Sequence, residues 1–333
     1  MEMFQLRRAD DVAQAVNAAA YAEDRQGAPV RFLAGGTTLI DLMKLDVERP
    51  GMVVDINRLP LDRIEPTPEG GVRIGATVRN ADLAHDPVIR ERYPVLSQAL
   101  LSGASAQLRN MATTGGNLLQ RTRCVYFRDV AMPCNKREPG SGCPAIGGYN
   151  RNLAVLGTSD ACIASNPSDM NVALMALGAA IEIQGADGAR TVGIDDFFLL
   201  PGDTPQRETV LAPGELITHV TLPPLPAGTR SHYLKLRDRA SYEFALASAA
   251  VVVTMANGSI RTARVAMGGI GTRPWRVPSA ELLLAGGAPS AAVFEAAARE
   301  LLRDARPQSE NAFKIELARR CLVHALNTVT ATD

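Results

Sequence analysis

Aromatic residues are scarce: one Trp, eight Phe and six Tyr in 333 residues. So few ring faces leave little for stacking on nucleic-acid bases. Charge excludes the same class again, because Lys+Arg and Asp+Glu both number 35 and no net field draws the chain to a polyanion or an anionic membrane. No apolar run reaches the ~18 residues of a membrane span, and "MEMFQLRRADD" at the N-terminus has no apolar core of signal-peptide length. The expectation is a chain with no export signal or membrane anchor of its own. Five cysteines, an odd number in a long chain, argue against a disulfide scaffold. His85, His219, His232 and His324 form no zinc or triad pattern, and no Ser-His-Asp set or carboxylate pair stands out. Internal repeats and low-complexity tracts are missing. These absences remove hydrolytic chemistry and leave binding chemistry.

What is present is a chain 46% hydrophobic, long enough for about two or three domains. Its first 57 residues read as β-α-β-α-β. A strand at Phe4 to Leu6 is followed by a helix opening at Asp10 and Asp11 and running to about Tyr21. Strand "VRFLAGG", short helix "TTLIDLMKL" and strand "MVVDI" complete the unit. Next, "GVRIGA" predicts a strand and Pro94 to Leu101 a helix, followed by a polar and glycine-rich segment, "RNMATTGGNLLQ". Beyond the loop that follows, "ACIAS" predicts a strand, Ser168 or Asp169 a helix cap, and "MNVALMALG" a helix. "AAIEIQG" is a strand turned by the "DG" at Asp187. Prolines cluster in "TLPPLPAG", where periodicity stops and a domain boundary is expected. Strands "SHYLKLR", "ALASAAVVVTMA" and "RTARVAMGG" then precede helices from Ala280 onward. The expected division is 1–57, 58–224 and 228–330.

Two short stretches suggest a ligand. In "FLAGGTTL" a strand ends in Gly35 and Gly36 and opens a helix, exposing backbone N–H groups beside the hydroxyls of Thr37 and Thr38. It is not GxGxxG, so a Rossmann dinucleotide site is unsupported. "ATTGGN" repeats the device at Thr113, Thr114, Gly115, Gly116 and Asn117. One such element is commonly an ordinary turn; two fit the walls of a diphosphate channel. The third stretch is "CVYFRDVAMPCNKREPGSGC", where Cys124, Cys134 and Cys143 sit among Arg123, Arg128, Lys136 and Arg137. With Cys162 the spacing is C-x9-C-x8-C-x18-C, which lacks zinc knuckles but permits four thiolates around an iron–sulfur cluster. Scattered buried cysteines with solvated cations is the competing reading. "NKREPGSG" offers almost nothing apolar, so the loop is expected to need metal–thiolate bonds to order it. Cys321, in an amphipathic helix, reads as core. Taken alone, Asp169 reads as a helix cap and Lys235 as a strand residue facing water.

The order of "FLAGGTTLIDLMK", "ATTGGNLLQRTRC", "NPSDMNVAL", "PGELI" and "KLRDRASYEFA" resembles the FAD-binding medium subunit of the xanthine dehydrogenase (molybdenum hydroxylase) family over essentially the whole chain. The inserted cysteine loop (123–162) is similar to that of the FAD- and iron–sulfur-containing subunit of bacterial periplasmic aldehyde oxidoreductases. A related insertion occurs in the beta subunit of 4-hydroxybenzoyl-CoA reductase. The resemblance implies an α+β fold: a two-subdomain FAD-binding region of the vanillyl-alcohol-oxidase/PCMH type, then a CO-dehydrogenase-flavoprotein-type C-terminal domain. It implies FAD held by Phe32, Leu33, Ala34, Gly35, Gly36, Thr37, Thr38 and Leu39, with Thr113 to Asn117 opposite. Asp169, Ile217 and Lys235 match further FAD-contacting positions, the last two near the flavin ring. Cys124, Cys134, Cys143 and Cys162 match the ligands of a [4Fe-4S] cluster. Eukaryotic members lack these cysteines. Implied partners are a large molybdenum-cofactor subunit that oxidises aldehydes and a small subunit with two [2Fe-2S] clusters, making a heterotrimer that passes electrons through FAD to an external acceptor. No side chain here would act on the aldehyde. Other molybdenum hydroxylase subunits, a pure electron relay and a stand-alone flavin oxidase are the alternatives. The resemblance implies the periplasm, reached with a signal-bearing partner; a cytoplasmic location is the alternative.

Overall fold

The computed structural model describes residues 1–26 and 30–331. The N-terminal unit has the expected order: β1 (Gln5–Arg8), α1 (Val12–Gln26), β2 (Val30–Leu33), α2 (Leu39–Lys44) and β3 (Met52–Asp55). The three strands are parallel in the order β1-β3-β2, which is why each needs a crossover between it and the next. Asp11 accepts the Gln14 N–H at 2.7 Å and so caps α1, which runs past Tyr21 to Gln26. The first strand begins one residue later than expected and ends two later.

The chain then builds a five-stranded antiparallel sheet. Its elements are β4 (Ile64–Pro66), β5 (Val72–Gly75), α3 (Asn80–His85), α4 (Pro87–Arg92), α5 (Pro94–Ser102), α6 (Ala106–Met111) and α7 (Thr114–Leu118). They continue as α8 (Val125–Arg128), α9 (Asp169–Leu177), β6 (Ala180–Gly185), β7 (Gly188–Gly193), α10 (Ile194–Phe197) and β8 (Leu216–Leu222). Strand order is β4-β5-β8-β6-β7. The polar and glycine-rich "RNMATTGGNLLQ" forms two short helices: Ser105 caps α6 through the Leu108 N–H and Thr113 caps α7 through the Gly116 N–H, and these bonds offset the low helix propensity of two glycines. One expectation fails here: "ACIAS" is not a strand; only an isolated bridge joins Ser159 to Cys162, and Ile163 and Ala164 are buried around the loop's own core. β4, α3 and α4 are additional elements that the pattern did not signal.

The remaining residues form β9 (Thr229–Leu236), β10 (Ala247–Ala256) and β11 (Ser259–Gly268), an antiparallel sheet in the order β11-β10-β9, then α11 (Pro278–Leu284), α12 (Ala291–Leu301) and α13 (Phe313–Thr330). β10 is buried on both faces because helices cover both: α13 on one, α5 and α9 on the other. Helix α9 is the keystone. All nine residues are buried, seven of them apolar and Asp169 and Asn171 polar, and Gly178 ends it at φ 69, a left-handed conformation that glycine adopts without strain.

Candidate cofactor cleft and cysteine pocket

The two glycine elements meet. Gly35 follows β2, and a Cβ there would lie 1.9 Å from the carbonyl oxygen of Met111, so only glycine lets this turn press against the end of α6. Gly115 lies against Ala76, and its N–H donates to the Ala76 carbonyl at 2.8 Å while the Thr114 N–H donates to Val78 at 2.9 Å. Arg79 ties the two turns together. It donates to the Met111 carbonyl at 2.5 Å and to Asn57 Oδ1 at 3.1 Å; Asn57 in turn donates to the Ala34 carbonyl at 2.9 Å and to the Leu33 carbonyl at 3.3 Å. Among the described residues, the N–H groups of Gly35, Gly36, Thr37 and Thr38 have no hydrogen-bond partner, and the Thr38 hydroxyl makes no cap bond. Unused donors at a turn that glycine keeps narrow suit an oxygen-rich anionic ligand. Sequence reasoning missed Asn57 and Arg79, which bear no local motif.

From α7 a polar chain leads inward. The Ser168 hydroxyl donates to Asn117 Oδ1 at 2.7 Å and caps α9 through the Asn171 N–H, so Ser168, not Asp169, is the cap. The Asp169 carboxylate is instead buried between Tyr233 Oη at 2.5 Å and Lys235 Nζ at 2.8 Å. Lys235 is 3% exposed and also donates to the Ser102 carbonyl at 3.0 Å, which corrects its reading as a water-facing strand residue. Burial, reinforced by the neighbouring Asp169 charge, pushes the Tyr233 phenol well above its ordinary range, so it stays a donor. Ile217 is buried in β8 opposite Ile183, within the main apolar core. Asp169 also lines a cleft of about 210 Å³ with Arg123, Asn166, Phe244 and Ser248. The Ser248 hydroxyl is buried there without a hydrogen-bond partner, a group that a ligand could satisfy.

Cys124, Cys134, Cys143 and Cys162 line a single second pocket, now closed to about 10 Å³, roughly the space of one water. The loop is not short of apolar packing as expected: Phe127, Ala145, Leu153, Ile163 and Ala164 pack with three of the thiols and with Leu42. Burial raises Cys124 to about 11 and also raises Cys143 and Cys162, with Lys136 opposing the rise at Cys162. Among the described residues, no three His, Cys, Asp or Glu side chains are arranged around a single metal ion. A four-iron cluster takes its ligands at four separate corners, a wider arrangement. The donor set fits one, provided that the thiols move apart to admit it.

The loop's cations are not solvated. Arg128 grips Asp41 bidentately at 2.8 and 3.1 Å, Arg137 donates to the carbonyls of Tyr126, Phe127 and Met132, and Lys136 reaches Glu208 at 2.9 Å. Burial alone would raise Glu208, but Arg121 and Lys136 hold it below the usual carboxylate range. The far end of the loop is locked to the C-terminal helices. Asn150 and Glu310 exchange bonds at 3.0 Å, and Asn311 Nδ2 faces the carbonyls of Asn150, Leu153 and Ala154 at 3.4 Å. Lys314, fully buried, donates to Asn152 at 3.2 Å, Leu153 at 2.9 Å and Gly269 at 2.5 Å. The cleft and the thiol pocket share a thin wall, since Arg123 and Ser165 face one while Cys124 and Ala164 face the other.

Comparison with known proteins places these features. Residues 2–225 match the family of FAD binding domains in molybdopterin dehydrogenase, and residues 232–329 match the CO dehydrogenase flavoprotein C-terminal domain. The aldehyde oxidoreductase FAD-binding subunit PaoB of Escherichia coli (strain K12) is 53% identical over 297 residues, 89% of this chain and 90% of that protein. The glyceraldehyde dehydrogenase medium chain of Sulfolobus acidocaldarius is 30% identical, covering 75% of this chain and 72% of that one. Among solved structures, a carbon monoxide dehydrogenase from Hydrogenophaga pseudoflava superimposes with a TM-score of 0.77 at 26% identity, covering 98% of this chain and 97% of that one.

Proposed function

The chain belongs to the FAD-binding medium subunits of the xanthine dehydrogenase family, and from that premise we propose that it is the electron-transferring flavoprotein subunit of a molybdenum-dependent aldehyde oxidoreductase. The observation that supports this most is the pair of glycine–threonine turns clamped together by Arg79 and Asn57, with the N–H groups of Gly35 to Thr38 in the first turn unspent among the described residues. In this reading the turns at Phe32–Leu39 and Thr113–Asn117 hold the FAD pyrophosphate. The cleft beside Asp169 takes the flavin ring, whose protein contacts include Ser248 and the Asp169–Lys235 pair. Bound FAD supplies the redox chemistry; the chain positions it, excludes water and fixes the charges around it. Ile217, buried in β8 within the main apolar core, is kept in this reading among the positions near the flavin ring. The four loop thiols hold a [4Fe-4S] cluster, supported by their convergence on one pocket.

Electrons reach this subunit from two [2Fe-2S] clusters on a small partner, after a large molybdenum-cofactor partner has oxidised the aldehyde to the acid, and they leave to an external acceptor. The heterotrimer resides in the periplasm, exported with a signal-bearing partner. Residues 1–57, 58–224 and 228–330 are the two FAD-binding subdomains and the C-terminal domain. The test is anaerobic purification of the chain alone. Acid precipitation should release all flavin as FAD, with iron and acid-labile sulfide present and no aldehyde oxidation until the large subunit is added. Flavin retained on the pellet, FMN in the supernatant, zinc in place of iron, or aldehyde turnover by the chain alone would each defeat the corresponding part of the reading.

A further inference from the structure

Six basic residues lie from 121 to 151, and five of them pair with carboxylates or backbone carbonyls. Arg121 pairs with Glu48 and Glu208, Arg128 with Asp41, Lys136 with Glu208, Arg137 with three carbonyls, and Arg151 bidentately with Asp238. Arg123 is the exception. Its one hydrogen bond is a 3.5 Å contact to Asp41, a carboxylate already claimed by Arg128. Two guanidiniums thus share one carboxylate, which leaves a cation in excess. The Arg123 guanidinium instead stacks over the Phe244 ring, 5.2 Å from its centre, and both residues line the cleft. The acidic groups around the same cleft do not pair with it: Asp169 is matched by Lys235 and Tyr233, Asp238 by Arg151, and the half-buried Glu243 accepts from the Phe244 N–H and forms no ion pair with Arg123. A half-buried cation with unspent donors, held flat by an aromatic ring at the wall of a cleft, is arranged for an anionic ligand.

We propose that Arg123 stabilises the reduced flavin and thereby sets its potential. The inference rests on the reading of the cleft as the flavin-ring site. Two electrons from the partner's iron–sulfur clusters and one proton from solvent convert the neutral oxidised ring to the reduced anion, so a fixed cation favours the product over the reactant. Arg123 is a positioning and charge-compensating residue, covalently adjacent to Cys124. The experiment measures the FAD midpoint potential, with iron per chain, in the wild-type protein, Arg123→Gln and Arg123→Lys. Arg123→Gln should lower the ratio of reduced- to oxidised-FAD affinity about tenfold, a shift of about 30 mV to more negative potential for a two-electron couple, while iron content is unchanged. Arg123→Lys, which keeps the charge, should stay near the wild type. If Arg123→Gln is isolated without flavin, the same ratio is read from reconstitution with oxidised and with dithionite-reduced FAD. An unchanged potential in Arg123→Gln, an equal shift in Arg123→Lys, or a shift accompanied by iron loss overturns the proposal. A wild-type chain that binds no FAD takes down the underlying reading instead.

Discussion

Replacing Lys314 by Met tests how the cysteine loop is fastened to the C-terminal helices. Burial pushes the Lys314 ammonium down to about 7 from an ordinary 10.5, with the Arg151 charge adding to the effect. Between those values the unfolded chain binds one more proton than the folded one, so this residue makes stability rise with pH, by up to about 1.4 kcal/mol per unit. Below pH 7 both states hold the proton and the penalty is at its full size. Burying Lys314 then costs about 4 kcal/mol at pH 7 and about 2 kcal/mol at pH 9. Met keeps the volume and removes that cost, but it strips a donor from the buried Leu153 carbonyl, at about 1–3 kcal/mol, and from the part-buried Asn152 and Gly269 carbonyls, at less than that each. The two effects roughly offset at pH 7. The variant should therefore lie within about 2 kcal/mol of the wild type at pH 7 and fall about 2 kcal/mol further behind it by pH 9. The buried thiols, raised to about 11 at Cys124 and about 12 at Cys321, lower stability above their ordinary range in both proteins and cancel in the difference. Urea unfolding at pH 7, 8 and 9 reads that difference. A gap that stays constant with pH would mean that Lys314 keeps its proton in the fold and would refute the reasoning.

Gly35→Ala puts a methyl group 1.9 Å from a backbone oxygen that can move only with α6, so FAD occupancy should drop and stability fall by about 1–3 kcal/mol. Gly193→Ala, with open space at its Cβ, is the control, and full flavin in Gly35→Ala would show that the turn is not part of the site. Cys143→Ser should lose iron and acid-labile sulfide and expose residues 124–162 to protease. Cys321→Ser, in the core beneath β9 and β10, should keep both; iron retained in Cys143→Ser would remove that residue from the ligand set.

Local patterns were legible where a single segment determines its own state. "MNVALMALG" is apolar except for Asn171 and becomes the fully buried α9; after β2, Gly35 is obligatory because of the Met111 contact and Gly36 because of its positive φ. Failures arose where the deciding partner is distant. Lys235 alternates as any half-exposed strand residue would, yet its counter-ion is 66 residues away. Arg79 and Asn57 have no signature, because their role exists only once three segments have met. "ACIAS" has the composition of a strand, but its apolar residues pack around thiols rather than against a sheet. The loop's cations were expected beside an anion; most serve carboxylates and carbonyls that the chain itself supplies.

The lock between Asn150 and the segment around Glu310 and Lys314 has a consequence for how the protein is made. Its two halves are separated by about 160 residues of chain, and translation at about 5–20 residues per second puts roughly 8–30 s between their appearances. Three loop thiols precede Asn150 and Cys162 follows 12 residues after it, so for most of that interval all four have been made while the segment that pins Ala145 to Ala154 in place does not yet exist. The nascent loop can open far more widely than the finished pocket allows. Arrival of the segment that leads into α13 then acts as a latch, so any ligand too large for the finished pocket has to enter while the chain is still growing.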